Sequence, residues 1–306
     1  MNDINLKIKI GGLELKNPVM VASGTFGYGL ESKDFFDLNR LGAIITKSLS
    51  LKPRIGNPPQ RIVETPSGML NAIGLANIGV ENFIKEKLPE LKKLDTKIIV
   101  NIAASSVDEY VECVKILNYE DIDAFEINVS CPNVKEGGLE FGRDLKKVGE
   151  ITNKVVASTN KPVIIKLTPN VTYISQFAKV AKEEGATAVS AINTFVGMAV
   201  NIFTRRPKLS HNTGGLSGPA IKPLALAKVY EILQNVDVPV IGIGGITNSE
   251  DALEFLITGA KAIQVGTHNF VDPSAPVKII DGIRDYLQKF GFNDINQIIG
   301  SLQVNQ

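Results

Sequence analysis

Tryptophan is absent from this chain of 306 residues, and histidine and cysteine occur only twice each. Two thiols, Cys113 and Cys131, cannot build a disulfide framework. No CxxC pair exists to hold zinc or an iron–sulfur cluster, so we expect no metal site and a cytoplasmic chain. An excess of one charge is also missing. The 33 Lys+Arg and 32 Asp+Glu leave a net +1, which removes the basic footprint of a nucleic-acid binder. The opening residues, Met1 to Asn5, have no basic region followed by an apolar one, so no signal peptide is expected. Gly185 to Thr204 carries no charge, but Thr187, Ser190, Asn193, Thr194, Gly197 and Asn201 interrupt it; a buried strand followed by a loop is expected there, not a membrane helix.

What is present is a recurrence. Short apolar, β-branched runs begin near Val19, Ala43, Ile98, Ala124, Val163, Ala188, Val240 and Ala262, and helical spacing follows most of them. That alternation is the signature of parallel βα units and predicts an α/β fold, a (β/α)8 TIM barrel in a single domain over 1–306. Helices are expected over Glu81–Leu94, Ser106–Leu117, Asp144–Ser158, Tyr173–Glu184, Lys222–Asn235 and Asn248–Thr258, with a short one near Ser32–Leu38. A capping box of Asn248 with Asp251 opens the last of the long ones, and Gly259 closes it. Leu6 to Leu15, around Gly11-Gly12, reads as an N-terminal β-hairpin plugging one end. The units after strands two, four and six are oversized (Ser48–Ile78, Val129–Arg143 and Asn193–Pro219), which places long loops on the C-terminal rim, where barrels keep their chemistry. A doubly wound open sheet is the competing architecture. No GxGxxG opens the first βα turn, which argues against it.

The rim residues are polar. Lys47 ends strand two, Asn101 strand three, Asn128 strand four, Lys166 strand five, and Asn193 with Thr194 strand six. Each alone could be a satisfied turn, but their convergence on one mouth indicates a site. Asparagine pairs a donor with an acceptor, matching a ring of alternating amide N–H and C=O groups such as a pyrimidine or a flavin, and two lysines imply anionic groups. Gly242, Gly244 and Gly245 follow strand seven, and Gly266 and Thr267 follow strand eight. These are turns that either simply reverse the chain or bind phosphate through exposed amides. Cys131, within Asn128-Val129-Ser130-Cys131-Pro132-Asn133, is placed on the rim, where a thiolate could remove a carbon-bound proton or act as a nucleophile. Cys113, flanked by Val111, Val114 and Ile116, reads as packing. His211 and His268 have no acid or thiol beside them in a motif.

With these residues in hand the chain resembles dihydroorotate dehydrogenase over essentially its whole length, most closely the catalytic subunit of the NAD-linked class 1B branch. Thr46-Lys47-Ser48, Asn57-Pro58-Pro59-Gln60-Arg61, Gly68 to Leu75, Asn128 to Gly138, Gly214-Gly215-Leu216-Ser217-Gly218-Pro219 and the double-glycine turn occur in the family's order. The resemblance implies FMN over the C-terminal mouth, contacted by Ser23, Lys47, Ser48, Asn101, Asn128, Lys166, Ile192, Gly218, Gly244, Gly245, Gly266 and Thr267. It implies dihydroorotate held by Lys47, Asn71, Ala72, Ile73, Gly74, Leu75, Asn128, Asn193 and Thr194, with Cys131 as the general base in forming orotate for pyrimidine biosynthesis. The loop carrying Cys131 is expected to act as a lid, with Gly137-Gly138 as its hinge. Electrons are expected to reach NAD through a partner subunit carrying FAD and a 2Fe-2S cluster, in a heterotetramer of two catalytic and two partner chains. The alternatives are a fumarate-dependent, class 1A-like enzyme, a non-redox phosphate-binding barrel isomerase or lyase, and a non-catalytic flavin-binding subunit. Three departures from the family's pattern stand out: Asn77-Ile78 where Asn-Pro is common, Asn201 where an acid is usual, and His268 after the Gly-Thr pair.

Overall fold

The computed structural model describes residues 4–130, 132–133 and 139–305. Eight parallel strands close into a barrel in chain order: Val19–Val21, Ala43–Ile45, Lys97–Ile102, Ala124–Asn128, Val163–Leu167, Ala188–Ala191, Val240–Ile243 and Ala262–Val265. The last strand pairs with the first, Ile263 beside Val19. Nearly every residue of these strands is buried, as expected of strands covered by helices outside and by packed side chains inside. The apolar runs therefore show no alternation, and each starts within a residue of its expected position.

Most helices begin and end within two residues of their expected bounds. Ser106 Oγ accepts the Glu109 N–H at 3.2 Å ahead of Val107–Asn118. Asp144 caps Leu145–Val156 by accepting the Lys146 and Lys147 N–H groups at 2.8 and 3.3 Å. The helices Ile174–Glu183 and Lys222–Asn235 also lie where expected. Ahead of Ser249–Thr258 only half of the capping box forms. Asn248 Oδ1 accepts the Asp251 N–H at 2.9 Å, but the Asp251 carboxylate accepts from the Thr247 N–H and hydroxyl, at 2.9 and 2.6 Å, and not from the Asn248 backbone.

Three elements depart from expectation. The region near Ser32–Leu38 forms two 3₁₀ turns, Leu30–Ser32 and Leu38–Arg40, instead of a helix. The stretch expected at Glu81–Leu94 begins at Gly79 and is α, then π over Phe83–Lys87, then α to Leu91. Pro89 has no N–H to donate to the preceding turn, which accounts for the widened turn beside it. A long helix, Ala275–Phe290, follows the eighth strand although none was expected there. Its signal is nonetheless present: buried Pro276, Ile279, Ile280, Ile283 and Leu287 at helical spacing, and a left-handed Gly291 just beyond its end.

The N-terminal hairpin, Ile8–Ile10 with Leu13–Leu15, buries Leu6, Ile8, Ile10, Leu13 and Leu15. A Cβ on Gly11 would lie 2.4 Å from Thr187, immediately before the sixth strand, so the hairpin covers the N-terminal end of the barrel. At the other end, the oversized second and sixth connections build one structure together. Ile62–Thr65 and Gly68–Asn71 from the former, with Phe195–Gly197 and Gly214–Ser217 from the latter, form a four-stranded antiparallel sheet. Its central seam pairs Gly215 with Asn71 and Leu216 with Leu70. In the fourth connection, 132–133 pairs with 139–140, while Cys131 and the Gly137-Gly138 pair lie outside the described residues. No helix among the described residues is long and apolar enough to cross a membrane.

Candidate active site

A cavity of about 400 Å³ opens at the C-terminal mouth, between the strand ends and the four-stranded sheet, within the range of small-molecule sites. It gathers nearly every residue singled out in the sequence. From strand ends and the turns after them come Ser23, Lys47, Ser48, Asn128, Lys166, Ile192, Asn193 and Thr194. Gly218, Gly244, Gly245, Gly266 and Thr267 line one wall, and Asn71, Ala72, Ile73, Gly74 and Leu75 line another.

Asn101 is the exception. It is fully buried beneath the cavity, and its Nδ2 donates to Glu126 Oε2 at 2.6 Å. The structure does not bring it to the wall. Conversely, Ser130, Thr168, Ser217, Thr247, His268 and Phe270 line the cavity without having been proposed as ligand contacts. Their signal was adjacency to the motifs already named. Glu126 was missed altogether because a lone acid in an apolar strand carries no motif.

The asparagines are held by their neighbours. Asn193 Nδ2 donates to Asn128 Oδ1 at 3.2 Å, and Asn193 Oδ1 accepts the Thr194 N–H at 2.8 Å. Tyr110 Oη donates to the Asn128 carbonyl at 2.6 Å, fixing the end of the fourth strand from outside the barrel. Asn71 Nδ2 reaches across the sheet seam to the Gly215 carbonyl at 3.2 Å. The Asn57-Pro58-Pro59-Gln60-Arg61 motif supports the 71–75 turn from behind. Asn57 Nδ2 donates to the Ala72 carbonyl at 2.9 Å, its N–H donates to the Ile73 carbonyl, and Arg61 Nε donates to the Asn57 carbonyl. Leu75, at φ 57°, sits in the left-handed region and is braced by Asn77 Nδ2 donating to its carbonyl at 2.7 Å. The Asn77-Ile78 departure also has a local use: the Ile78 N–H, which proline would lack, donates to Tyr28 Oη at 3.0 Å.

Two polar groups in the wall have no partner among the described residues. The Ser130 hydroxyl is buried and makes no hydrogen bond. The Lys47 ammonium makes neither a hydrogen bond nor an ion pair; burial, and then the charge of Arg61, hold it below the ordinary lysine range. A cavity that keeps an unpaired cation and an orphaned hydroxyl suits a polar ligand with negative charge. The double glycine is required by packing as well. A Cβ on Gly244, at φ 132°, would lie 2.6 Å from Ala225 Cβ, and one on Gly245 would lie 2.7 Å from the Lys222 nitrogen. The turn is thus pressed against the start of Lys222–Asn235 and lines the cavity, so packing alone requires the glycines that leave its backbone open to that space.

The chain's residues 5–287 match the family model for dihydroorotate dehydrogenase. The chain belongs to that family. The dihydroorotate dehydrogenase B (NAD(+)) catalytic subunit of Thermoanaerobacter sp. strain X514 is 53% identical over 302 residues, covering 99% of this chain and 100% of the relative. The subunit of the same description from Geotalea daltonii is 53% identical over 301 residues, covering 98% and 99%. That from Bacteroides fragilis is 50% identical, with the same coverage of each chain. Members of the dihydroorotate dehydrogenase family are oxidoreductases, and the mouth of this barrel is where such chemistry would be placed.

Proposed function

We propose that this chain is the catalytic subunit of an NAD-linked dihydroorotate dehydrogenase, a single FMN-binding barrel domain over 1–306 that oxidises dihydroorotate to orotate in pyrimidine biosynthesis. The observation that carries the reading is convergence. Eleven of the twelve proposed FMN contacts, all but Asn101, and every proposed dihydroorotate contact line one cavity.

The residues fit FMN on the chemistry of the donor set. The backbone at Gly244, Gly245 and Gly266 would cradle the phosphate, with Ser23 and Thr267 beside it. Ser48, Asn128 and Lys166 would meet the ring. When bound, FMN supplies a two-electron acceptor for the hydride leaving C6 of dihydroorotate. Cys131, which lies outside the described residues, takes the proton from C5 as its thiolate. Lys47 pairs with the substrate carboxylate, while Asn71, Asn128, Asn193 and Thr194 fix the pyrimidine ring through paired donors and acceptors. Ala72 to Leu75 exclude water from above. Lys166 offers its positive charge to the negative charge that builds up on reduction.

Electrons then leave through a second subunit carrying FAD and a 2Fe-2S cluster, within a cytoplasmic heterotetramer of two catalytic and two partner chains. The test begins with the purified chain. It should be yellow, be bleached by dihydroorotate, and reduce an artificial acceptor but not NAD. Co-expression with its partner should add NAD reduction. Cys131→Ala should keep its flavin and lose roughly 100-fold or more in turnover. Full activity in that variant would remove Cys131 from the role, and brisk turnover of the isolated chain with fumarate would overturn the partner.

A further inference from the structure

Glu126 is fully buried in the barrel interior, and the reaction described above gives it no task. Its Oε2 accepts from Asn101 Nδ2 at 2.6 Å and lies 3.6 Å from the Lys166 ammonium. Its Oε1 accepts from Gln264 Nε2 at 2.6 Å and from the Ser190 hydroxyl at 2.8 Å. The two amides and the ammonium can only donate toward it, an arrangement made for a carboxylate anion. The anion also decides how the amides are turned. Asn101 and Gln264 both spend their NH₂ groups on Glu126, and both are left with buried carbonyl oxygens that have no partner. A barrel interior is ordinarily filled with branched apolar side chains, and a buried charge there is costly unless paired. Of the groups around Glu126, Lys166 alone reaches the cavity wall.

We propose that Glu126 is a positioning residue for the redox chemistry: its carboxylate anchors the Lys166 ammonium at the cavity floor and offsets the positive field that the ammonium lends to a bound isoalloxazine, lowering the cofactor's reduction potential. The inference rests on the FMN reading and deepens it. An unopposed ammonium favours the reduced, negatively charged ring and would hold electrons there; NAD is a weak oxidant, and delivery toward it needs a ring that gives them up. The ion pair reconciles a cation that steadies developing charge with a cofactor that does not trap it.

The test uses the full chain with bound FMN, equilibrated with a dye of known potential. Glu126→Gln keeps the shape and removes the charge. At fixed potential its ratio of reduced to oxidised flavin should rise about tenfold or more. Lys166→Met should shift the ratio the opposite way, and the double variant, which again carries no net charge at this place, should return toward the parent. Glu126→Asp draws the carboxylate back by one methylene and should shift in the Gln direction by less; it carries the test if the Gln variant does not fold. An unchanged or lowered ratio in either Glu126 variant overturns the proposal. So does a double variant displaced further than both single ones, which is what a merely structural plug predicts. A parent chain that is colourless and takes up no FMN sinks the flavin reading and this inference with it, a result distinct from a yellow chain whose potential ignores Glu126.

Discussion

Cys113 is fully buried in Val107–Asn118, and burial, then the charges of Glu109 and Glu112, push its thiol up to about 12. It stays a thiol at every ordinary pH and should resist alkylation in the native chain. One cysteine per chain should therefore be labelled at neutral pH, and Cys131→Ala should abolish the labelling; a labelled Cys113 in the folded protein would contradict this. Lys47 shows the opposite logic. Its ammonium is mostly withdrawn from water with no partner among the described residues, so the charged form costs stability in the unliganded protein. That cost is relieved as pH rises from its lowered value toward that of the unfolded lysine. Lys47→Met should raise the melting temperature of the ligand-free chain while weakening dihydroorotate binding about tenfold to a hundredfold. In the parent, affinity should fall with rising pH before an ordinary lysine would titrate. These two placements were legible from position: Cys113 among apolar helical neighbours, Lys47 at a strand end. Glu126 was not, because a buried acid becomes meaningful only once four other strands bring their donors to it.

The helix Ser249–Thr258 starts four residues after Gly245, so its first residues connect local stability with the shape of the turn that lines the cavity. Asn248→Ala should cost about 1 kcal/mol of unfolding free energy. Burial pushes the Asp251 carboxyl up, but hydrogen bonds from Lys222 and Thr247 outweigh burial and hold it below the ordinary aspartate range. Its contribution is present at neutral pH and is lost as pH falls through the lowered value, so Asp251→Asn should be less stable than the parent at neutral pH, with the difference closing in acid, as urea titrations at stepped pH would show. Lys222 also pairs with Glu254 at 2.8 Å, so Asp251 ties the starts of two helices on either side of the glycines. The helix starts at Ser106 and Asp144 and the cap at Asn248 were readable because such signals are written in three or four consecutive residues. The partner chosen by Asp251 was not readable, because Thr247 and Lys222 compete for it only in the folded chain.

The barrel as a whole was read from its period: eight apolar runs gave eight strands, and the surplus length fell into the second, fourth and sixth connections. That two of these connections would pair with each other was hidden, since strand partners distant in sequence leave no local trace. At their seam, Gly215 lies against the cavity wall, and a Cβ there would come 2.2 Å from Thr194 Oγ1 and 3.3 Å from Asn71 Nδ2. Gly215→Ala should raise KM for dihydroorotate several-fold with the flavin spectrum unchanged; a normal KM would show that the wall yields.

The shared sheet ties the history of one insertion to that of the other. Pairing of 69–71 with 215–217 gives each insertion the hydrogen-bonding edge that the other needs, and removing either would leave a bare strand flank open to other chains. Length changes on the two sides must therefore keep register with one another. A chimera that borrows one insertion from a divergent relative should aggregate, whereas one that exchanges both as a unit should keep a working mouth.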